Sequence, residues 1–345
     1  MDNKQKDFFV LSIRTGMFLE GLIKILPYKL DNLIESHHVY SNAYDEALAD
    51  GLMTSSDIDG YMEDNGLWTQ DDEEELKHYK NKIDDKKLKM YNSRTKKPFV
   101  EKERRALRIL EQMNIQHLSK KSSLFIQCCE SMADNARLDF LLRKHSFIDN
   151  KPVPPDLDAN VLIRAYNESV YSDNIIRDLA RSEPWRSLWA SNKHVKFKLF
   201  FNKEDEDITI NQKSIVLWST TYDSIQEAME PPSEDVVEDD DLLDGWFIYQ
   251  RRKREREQKK KDLEDKITSP RGKNADETFV MVNKEEGFDV SDINAMNDPS
   301  AQFIKNNRIR QLQKEGNVDY VKLVDVQQRG NEEAAQEQRR RAGGK

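Results

Sequence analysis

The sequence predicts a mainly helical protein with an elongated helical bundle or hairpin, a smaller tryptophan-rich α+β domain and an extended C-terminal arm. Three observations support this prediction. Apolar residues in the first part recur every three or four positions, which is the spacing of an amphipathic helix. Three of the five tryptophans lie between positions 185 and 218, where they can dominate one compact core. From about residue 268 onward, apolar residues are too sparse to form an independent core.

We divide the 345 residues into a helical domain at 1–150, a compact tryptophan-rich domain at 156–250 and a third region at 251–345. The first boundary is the proline-rich segment 151–155, because clustered prolines hold the backbone extended and cannot continue a helix. The third region begins with a strongly basic helix and continues as an arm that we expect to become ordered on a partner.

Residues 69–145 are predicted to form three consecutive charged helices around which the first domain is organised. Thr69 and Asp72 stand at the spacing of a capping box, which marks the start of a helix. The segment 92–98 interrupts the apolar pattern, and Pro98 suits the first turn of the second helix. The apolar stripe of that second helix is predicted to contain Phe99, Ala106, Leu110 and Met113.

Before these helices, residues 7–35 are predicted to form a buried helix that is interrupted near Gly16 and ends at Pro27. A short helix at 41–50 and another that begins at Thr54 follow it. The tight spacing of these helices is a structural signal and says little about function.

The second domain is predicted to combine helices with a short pair of strands. Asp158 is placed to cap a helix, and alternating apolar and polar residues at 195–201 indicate a half-buried strand whose partner is 208–210. Apolar residues at 215–229 return to helical spacing. We interpret the tryptophans as core rather than as a base-stacking surface, because no basic stripe is interleaved with them.

Three blocks of different character lie side by side near the end of the second domain. Acidic residues dominate 234–244, apolar residues fill 245–249, and basic residues dominate 251–261. We predict a solvated helix that continues to about Ile267. The two charged blocks could instead fold back on each other or bind separate partners, and the basic block could bind nucleic acid or act as a localisation signal.

The sequence offers no catalytic or cofactor motif. It contains no glycine-rich phosphate loop, no nucleophile elbow and no His-Glu-x-x-His pattern. His37 and His38 lack the further ligands of a zinc site, so we expect no metal ion and no cofactor. The adjacent Cys128 and Cys129 fit a reducing compartment, and no apolar run is long enough to span a bilayer. We therefore expect an intracellular protein that is not an enzyme.

Candidate partner-binding residues come from the apolar and basic blocks and from a short apolar segment further on. They are Trp246, Phe247, Arg251, Arg252, Lys253, Arg254, Phe279 and Met281.

Several segments resemble stretches of structural or tail-assembly proteins of large tailed bacteriophages, including tail assembly chaperones and baseplate hub factors. The segments are 176–189, 218–224, 239–246 and the basic helix after them. The resemblance follows the order of motifs over about residues 40–325 and carries no catalytic residues. It implies a non-enzymatic protein of virion assembly, found in the host cytoplasm or in the virion, whose partners are other phage structural proteins and not a membrane.

Two further hypotheses stay open at this point. The chain could be a nucleic-acid-associated phage protein, acting in packaging or transcription through the basic helix 251–261, where we expect weak contact. It could also be an enzyme with an unrecognised site.

Overall fold

The computed structural model describes residues 2–192 and 199–268, together with single positions at 306, 309, 310, 313 and 314. Helices dominate these residues, and one small antiparallel sheet accompanies them, so the mainly helical class is confirmed. The chain divides into a compact unit up to Arg251 and a second unit from Arg252. No helix in the described ranges is both long and apolar enough to cross a membrane.

The helices are, in chain order, α1 (Asn3–Thr15), α2 (Leu30–Ala49), α3 (Ser55–Asp64), α4 (Gln70–Asn92), α5 (Lys97–Phe125), α6 (Cys129–His145), α7 (Ala159–Ser169), α8 (Asp173–Arg181), α9 (Trp185–Asn192), α10 (Ile210–Gln226), α11 (Glu234–Glu238) and α12 (Asp240–Thr268). The strands are β1 (Phe18–Glu20), β2 (Ile23–Ile25), β3 (Ser146–Ile148) and β4 (Lys151–Pro152). They form one antiparallel sheet in the order β1-β2-β3-β4.

The three helices predicted at 69–145 are confirmed as α4, α5 and α6. Thr69 caps α4 through a complete capping box, in which its side chain accepts from the Asp72 amide and the Asp72 carboxylate accepts from the Thr69 amide. The same device begins α3 at Thr54. Helix α12 ends at Thr268, one residue beyond the end that the sequence predicts for the basic helix.

The buried helix predicted at 7–35 is wrong after its first half. Gly16 adopts a left-handed conformation (φ 66°) and ends α1, because its amide bonds back to the Ile13 carbonyl. The residues that follow form the hairpin of β1 and β2, which pairs with β3 far along the chain. The short helix predicted at 41–50 is the second half of the longer α2.

The strand predicted at 208–210 is also wrong. Thr209 caps α10 in a capping box with Gln212, so Ile210 is already helical. Of its predicted partner strand at 195–201, residues 195–198 lie outside the described residues, and 199–201 are not in a strand. The small sheet therefore lies at 18–25 and 146–152 instead of among the tryptophans.

A main core joins parts of both predicted domains. Trp185 is fully buried in it and donates its indole N–H to Ser219 Oγ at 2.7 Å. Trp189 and Trp218 pack at its margin and are only partly buried. Whether 1–150 or 156–250 folds alone stays a prediction. The buried members of this core come from α1, α4, α5 and α8 to α12, and they include Val10, Met90, Leu107, Ile176, Ile215 and Leu243.

Two smaller cores lie elsewhere in the described part of the first unit. The sheet core packs β1, β2, α6 and α7 around Leu142 and Leu162. The end core packs α3 and the start of α4 around Met62 and Leu76, with Phe125 from the end of α5 against it. Helix α5 therefore contacts the main core near its start and the end core near its end.

The backbones of α4 and α12 approach closely at Gly245. A Cβ atom added there would clash with the Lys87 carbonyl oxygen and lie 2.8 Å from Tyr91 Cβ. Only glycine permits this approach, because a backbone carbonyl cannot rotate away as the end of a long side chain can. Two apolar residues on either side of Gly245, Leu243 and Trp246, are buried in the main core.

We expect Gly245→Ala to lower the free energy of unfolding by roughly 1–3 kcal/mol, because the added methyl group overpacks the contact between α4 and α12. Urea unfolding followed by circular dichroism measures the change. Gly60→Ala is the matched control, since Gly60 lies inside α3 with no atom within 4 Å of an added Cβ. The control should be neutral or stabilising by about 0.5–1 kcal/mol. A Gly245→Ala protein as stable as the wild type would contradict the close contact.

Candidate interaction surfaces

Four aspartates of the acidic block, at the start of α12 and just before it, form ion pairs with three other helices. Their partners are cations from α4, α5 and α8. These four aspartates therefore act inside the first unit. We call this set of residues the charge junction, and it consists of Lys87, Arg104, Arg108, Arg177 and Arg181 together with Asp239, Asp240, Asp241 and Asp244.

Asp241 is the most buried carboxylate of the charge junction, with 8% of its side chain exposed. Arg104 Nε donates to its Oδ2 at 3.0 Å, and Arg108 Nη2 donates to both of its oxygens at 2.8 and 3.1 Å. A second Arg104 nitrogen, Nη2, pairs with Asp239. The start of α12 is thereby tied to two successive turns of α5.

Arg177 is the buried cation of the charge junction, with 4% of the residue exposed. Its Nη2 donates to Asp244 Oδ1 at 2.9 Å, and its guanidinium carbon lies 4.2 Å from the ring centroid of Trp218. Burial acts to lower the pKa of Arg177, but the charges of Asp244 and Asp240 raise it above its ordinary value. The side chain is therefore charged at neutral pH.

A polar cavity of about 570 Å³ lies at the charge junction. Charged side chains of opposite sign line most of it, and those of the charge junction already pair with one another. Among the lining residues that the structure describes there is no histidine, cysteine or serine to act as a base or nucleophile near neutral pH. Several of the charged side chains that line the cavity are already engaged in ion pairs between helices.

The structure corrects the assignment of Trp246 as a partner-binding residue. Trp246 is buried in the main core with 6% of its surface exposed, and Phe247 packs against it at 5.1 Å between ring centroids. Phe247 is itself partly buried against the same core. The Trp246 ring therefore does not project as an apolar anchor, whereas a partner-binding role for the partly buried Phe247 stays a prediction.

The basic candidates follow on the same helix. Arg251 is exposed and pairs with Asp84 on α4 at 2.6 Å. Arg252, Lys253 and Arg254 begin the second unit, still within α12. Phe279 and Met281 lie outside the described residues.

Helix α5 carries an exposed apolar face that is not among the candidate partner-binding residues predicted from the sequence. We call it the α5 face, and its members are Ile115, Leu118 and the capping residue Ile126, which are exposed by 65%, 46% and 64%. The predicted stripe of this helix is out of phase, because Val100 and Leu107 are buried whereas the predicted Phe99 and Met113 are exposed. The sequence does contain a signal for this face, because the α5 segment has more apolar residues than one buried helical stripe can hold.

One group of described side chains has the arrangement of metal ligands. Asp72 and Glu75 of α4 and His117 of α5 bring one ligand atom each to within 4.8 Å of one another. Hydrogen bonds from the Thr69 side chain and backbone lower the pKa of Asp72 below its usual value, so its carboxylate is ionised near neutral pH.

No protein-family model, curated protein or solved structure matches this chain. Support for a function therefore comes from the geometry described above and from the resemblance in sequence.

We expect Asp241→Asn to lower the free energy of unfolding by roughly 1–3 kcal/mol, because two arginines lose the charge that compensates them in a poorly hydrated place. Chemical unfolding at pH 7 measures this loss. Glu101→Gln is the matched control, since Glu101 also pairs with Arg104 but is 58% exposed, and it should cost below about 1 kcal/mol. Equal losses for the two variants would contradict the role given to the charge junction.

Proposed function

We propose that the chain is a non-enzymatic assembly factor or minor structural component of a bacteriophage tail or baseplate, acting through protein–protein contacts. It would work in the host cytoplasm and could remain in the virion. The phage context rests on the resemblance of segments 176–189, 218–224 and 239–246. The mode of action rests on the α5 face, which is the single observation that carries the proposal.

The α5 face has the properties of a docking surface for another protein. Three aliphatic side chains at spacings of three and eight residues lie on one side of a long helix and its C-terminal cap. Scattered exposed apolar residues are ordinary, but a row at helical spacing suits a helix-to-helix contact. Polar and charged residues flank the row, as they do at the rim of protein interfaces.

The packing of α5 holds this face in a fixed orientation. Leu107 anchors the first half of the helix in the main core, and Phe125 packs its end against the end core. His117 is buried on the side of the helix away from the α5 face, with its Nε2 2.8 Å from the Asp72 carbonyl oxygen. A partner would therefore meet a surface that loses little conformational entropy on binding.

The test uses the tagged full-length chain in host cells infected by the phage that encodes it. We expect tail or baseplate subunits to co-purify in fixed proportion with the wild type. The double substitution Ile115→Glu and Leu118→Glu should reduce their recovery at least roughly tenfold, because it places two charges in the apolar contact.

The matched control is Gln112→Glu with Gln116→Glu. Both glutamines are exposed on α5 and are not members of the α5 face, and the control adds the same charge. It should leave recovery unchanged. Equal recovery of phage subunits with both double variants, or recovery of host proteins alone, would overturn the proposal.

The competing hypothesis is nucleic-acid binding by the basic helix. Arg254, Arg256 and Lys261 are exposed, which favours contact with phosphates. Glu255 and Glu257 lie among them and oppose such contact, so we expect a Kd of about 10⁻⁴–10⁻⁶ M at physiological salt.

A salt titration of DNA binding, beside the co-purification experiment, separates the two hypotheses. Nanomolar DNA binding that is lost when Arg251, Arg252, Lys253 and Arg254 are neutralised would favour nucleic-acid binding over assembly. Association with phage subunits should survive the same four substitutions if the assembly proposal is right.

A further inference from the structure

We propose that Asp72, Glu75 and His117 form a binding site for a zinc-like divalent cation where α4 packs against α5. The inference does not depend on the proposed function. The sequence contains no zinc motif, so it predicts no metal ion. Spacing along the chain does not reveal this site, because two ligands come from one helix and the third from its neighbour.

His117 is prepared to act as a ligand through Nδ1. The side chain is buried, with 5% of the residue exposed, and its Nε2 lies 2.8 Å from the Asp72 backbone carbonyl oxygen. A carbonyl oxygen can only accept, so Nε2 carries the hydrogen and Nδ1 is the ring nitrogen left to bind a cation. Histidine ligands of metals are commonly fixed in this way by a carbonyl on the other ring nitrogen.

Nδ1 of His117 faces a carboxylate. Nδ1 lies 4.0 Å from Glu75 Oε2, which is too far for a hydrogen bond. In a tetrahedral zinc site, two ligand atoms at bond lengths of about 2.0–2.2 Å lie roughly 3.3–3.6 Å apart. The present separation of 4.0 Å is therefore slightly too wide. A small rotation of the exposed Glu75 side chain would bring Oε2 to the distance at which one cation can bind both atoms.

Each of the two carboxylates accepts hydrogen bonds through one oxygen, which leaves its other oxygen to bind the cation. Asp72 Oδ2 accepts from Thr69 N at 2.9 Å and from Thr69 Oγ1 at 2.6 Å, which leaves Oδ1 for the cation. Glu75 Oε1 accepts from Tyr79 Oη at 2.5 Å, which leaves Oε2. All three ligands thus have a hydrogen-bonded partner behind them, as metal ligands usually do.

The donor set selects the class of cation. One imidazole nitrogen, two carboxylate oxygens and water suit Zn²⁺ or Co²⁺, whereas Ca²⁺ and Mg²⁺ prefer oxygen ligands throughout. The partial positive charge at the start of α4 opposes a cation, but Asp71, Asp72 and Glu73 in the first turn offset it. Bound zinc would clamp the start of α4 to α5 beside the end core.

The experiment titrates Zn²⁺ into the full-length chain and measures heat and tryptophan fluorescence. Trp68 reports on the site directly, because its ring centroid lies 4.9 Å from that of His117. We expect one equivalent to bind with micromolar or tighter affinity near neutral pH, and Co²⁺ to give the visible absorption of a low-coordinate site.

Glu75→Gln is the main variant, because Glu75 is exposed and the amide oxygen can still accept from Tyr79. It should weaken zinc binding at least roughly tenfold, since it removes a charged ligand, while leaving the far-ultraviolet dichroism unchanged. Glu74→Gln, one position away and also exposed, should bind as the wild type does. A double His37→Gln, His38→Gln variant should likewise keep its affinity, since these exposed histidines are the obvious competing site.

Three results would each overturn the proposal. They are the lack of stoichiometric binding at about 100 micromolar zinc, equal affinity of Glu75→Gln and the wild type, and loss of binding in the variant of His37 and His38. The first of these would reduce the contact between His117 and Glu75 to ordinary packing of α4 against α5.

Discussion

Charge compensation at the start of α12 is the interaction on which the rest of the first unit depends. Asp240, Asp241 and Asp244 carry negative charge into a place where helices meet, and cations from α4, α5 and α8 neutralise it. A buried charge without its partner costs several kcal/mol. The two sides of the charge junction come from distant parts of the sequence, so neither side is satisfied until both have folded.

The ion pairs act together with the close approach at Gly245. Lys87 lies 2.7 Å from Asp244, and Leu243 and Trp246 are buried in the main core beside it. Ion pairing alone would be a weak source of stability, because desolvation offsets much of its gain. Burial of apolar surface supplies the stabilisation, and the charges decide which surfaces of α4, α5 and α8 face α12. The same packing fixes the first half of α5, the helix that carries the proposed docking surface.

Features decided by neighbouring residues can be predicted from the sequence, whereas features decided by distant residues cannot. The capping boxes at Thr54 and Thr69 are predictable because all their atoms lie within four residues. The hairpin at 18–25 is not, since β2 gains its second partner, β3, from a distant part of the chain. The capping box at Thr209 is local, but the apolar residues on both sides of it suggest a strand and hide it.

The site residues show the same limit. Trp246 has the sequence context of an anchor for a partner, but the glycine beside it lets another helix pack closely there. The predicted apolar stripe of α5 lies one position away from the buried residues Val100 and Leu107, because the main core, formed by distant segments, selects that side of the helix. The pairing of Asp72 and His117 depends on how α4 packs against α5, which no spacing within either helix reveals.

The central claim is that α12 begins as an integral part of the main core. Native-state hydrogen exchange measures this most directly, by comparing amides of α12 near Leu243 with those of α8 near Ile176 and α10 near Ile215. We expect all three groups to exchange with the same free energy, that of global unfolding. Exchange of the Leu243 region at a free energy lower by more than about 2 kcal/mol would show instead that α12 opens alone.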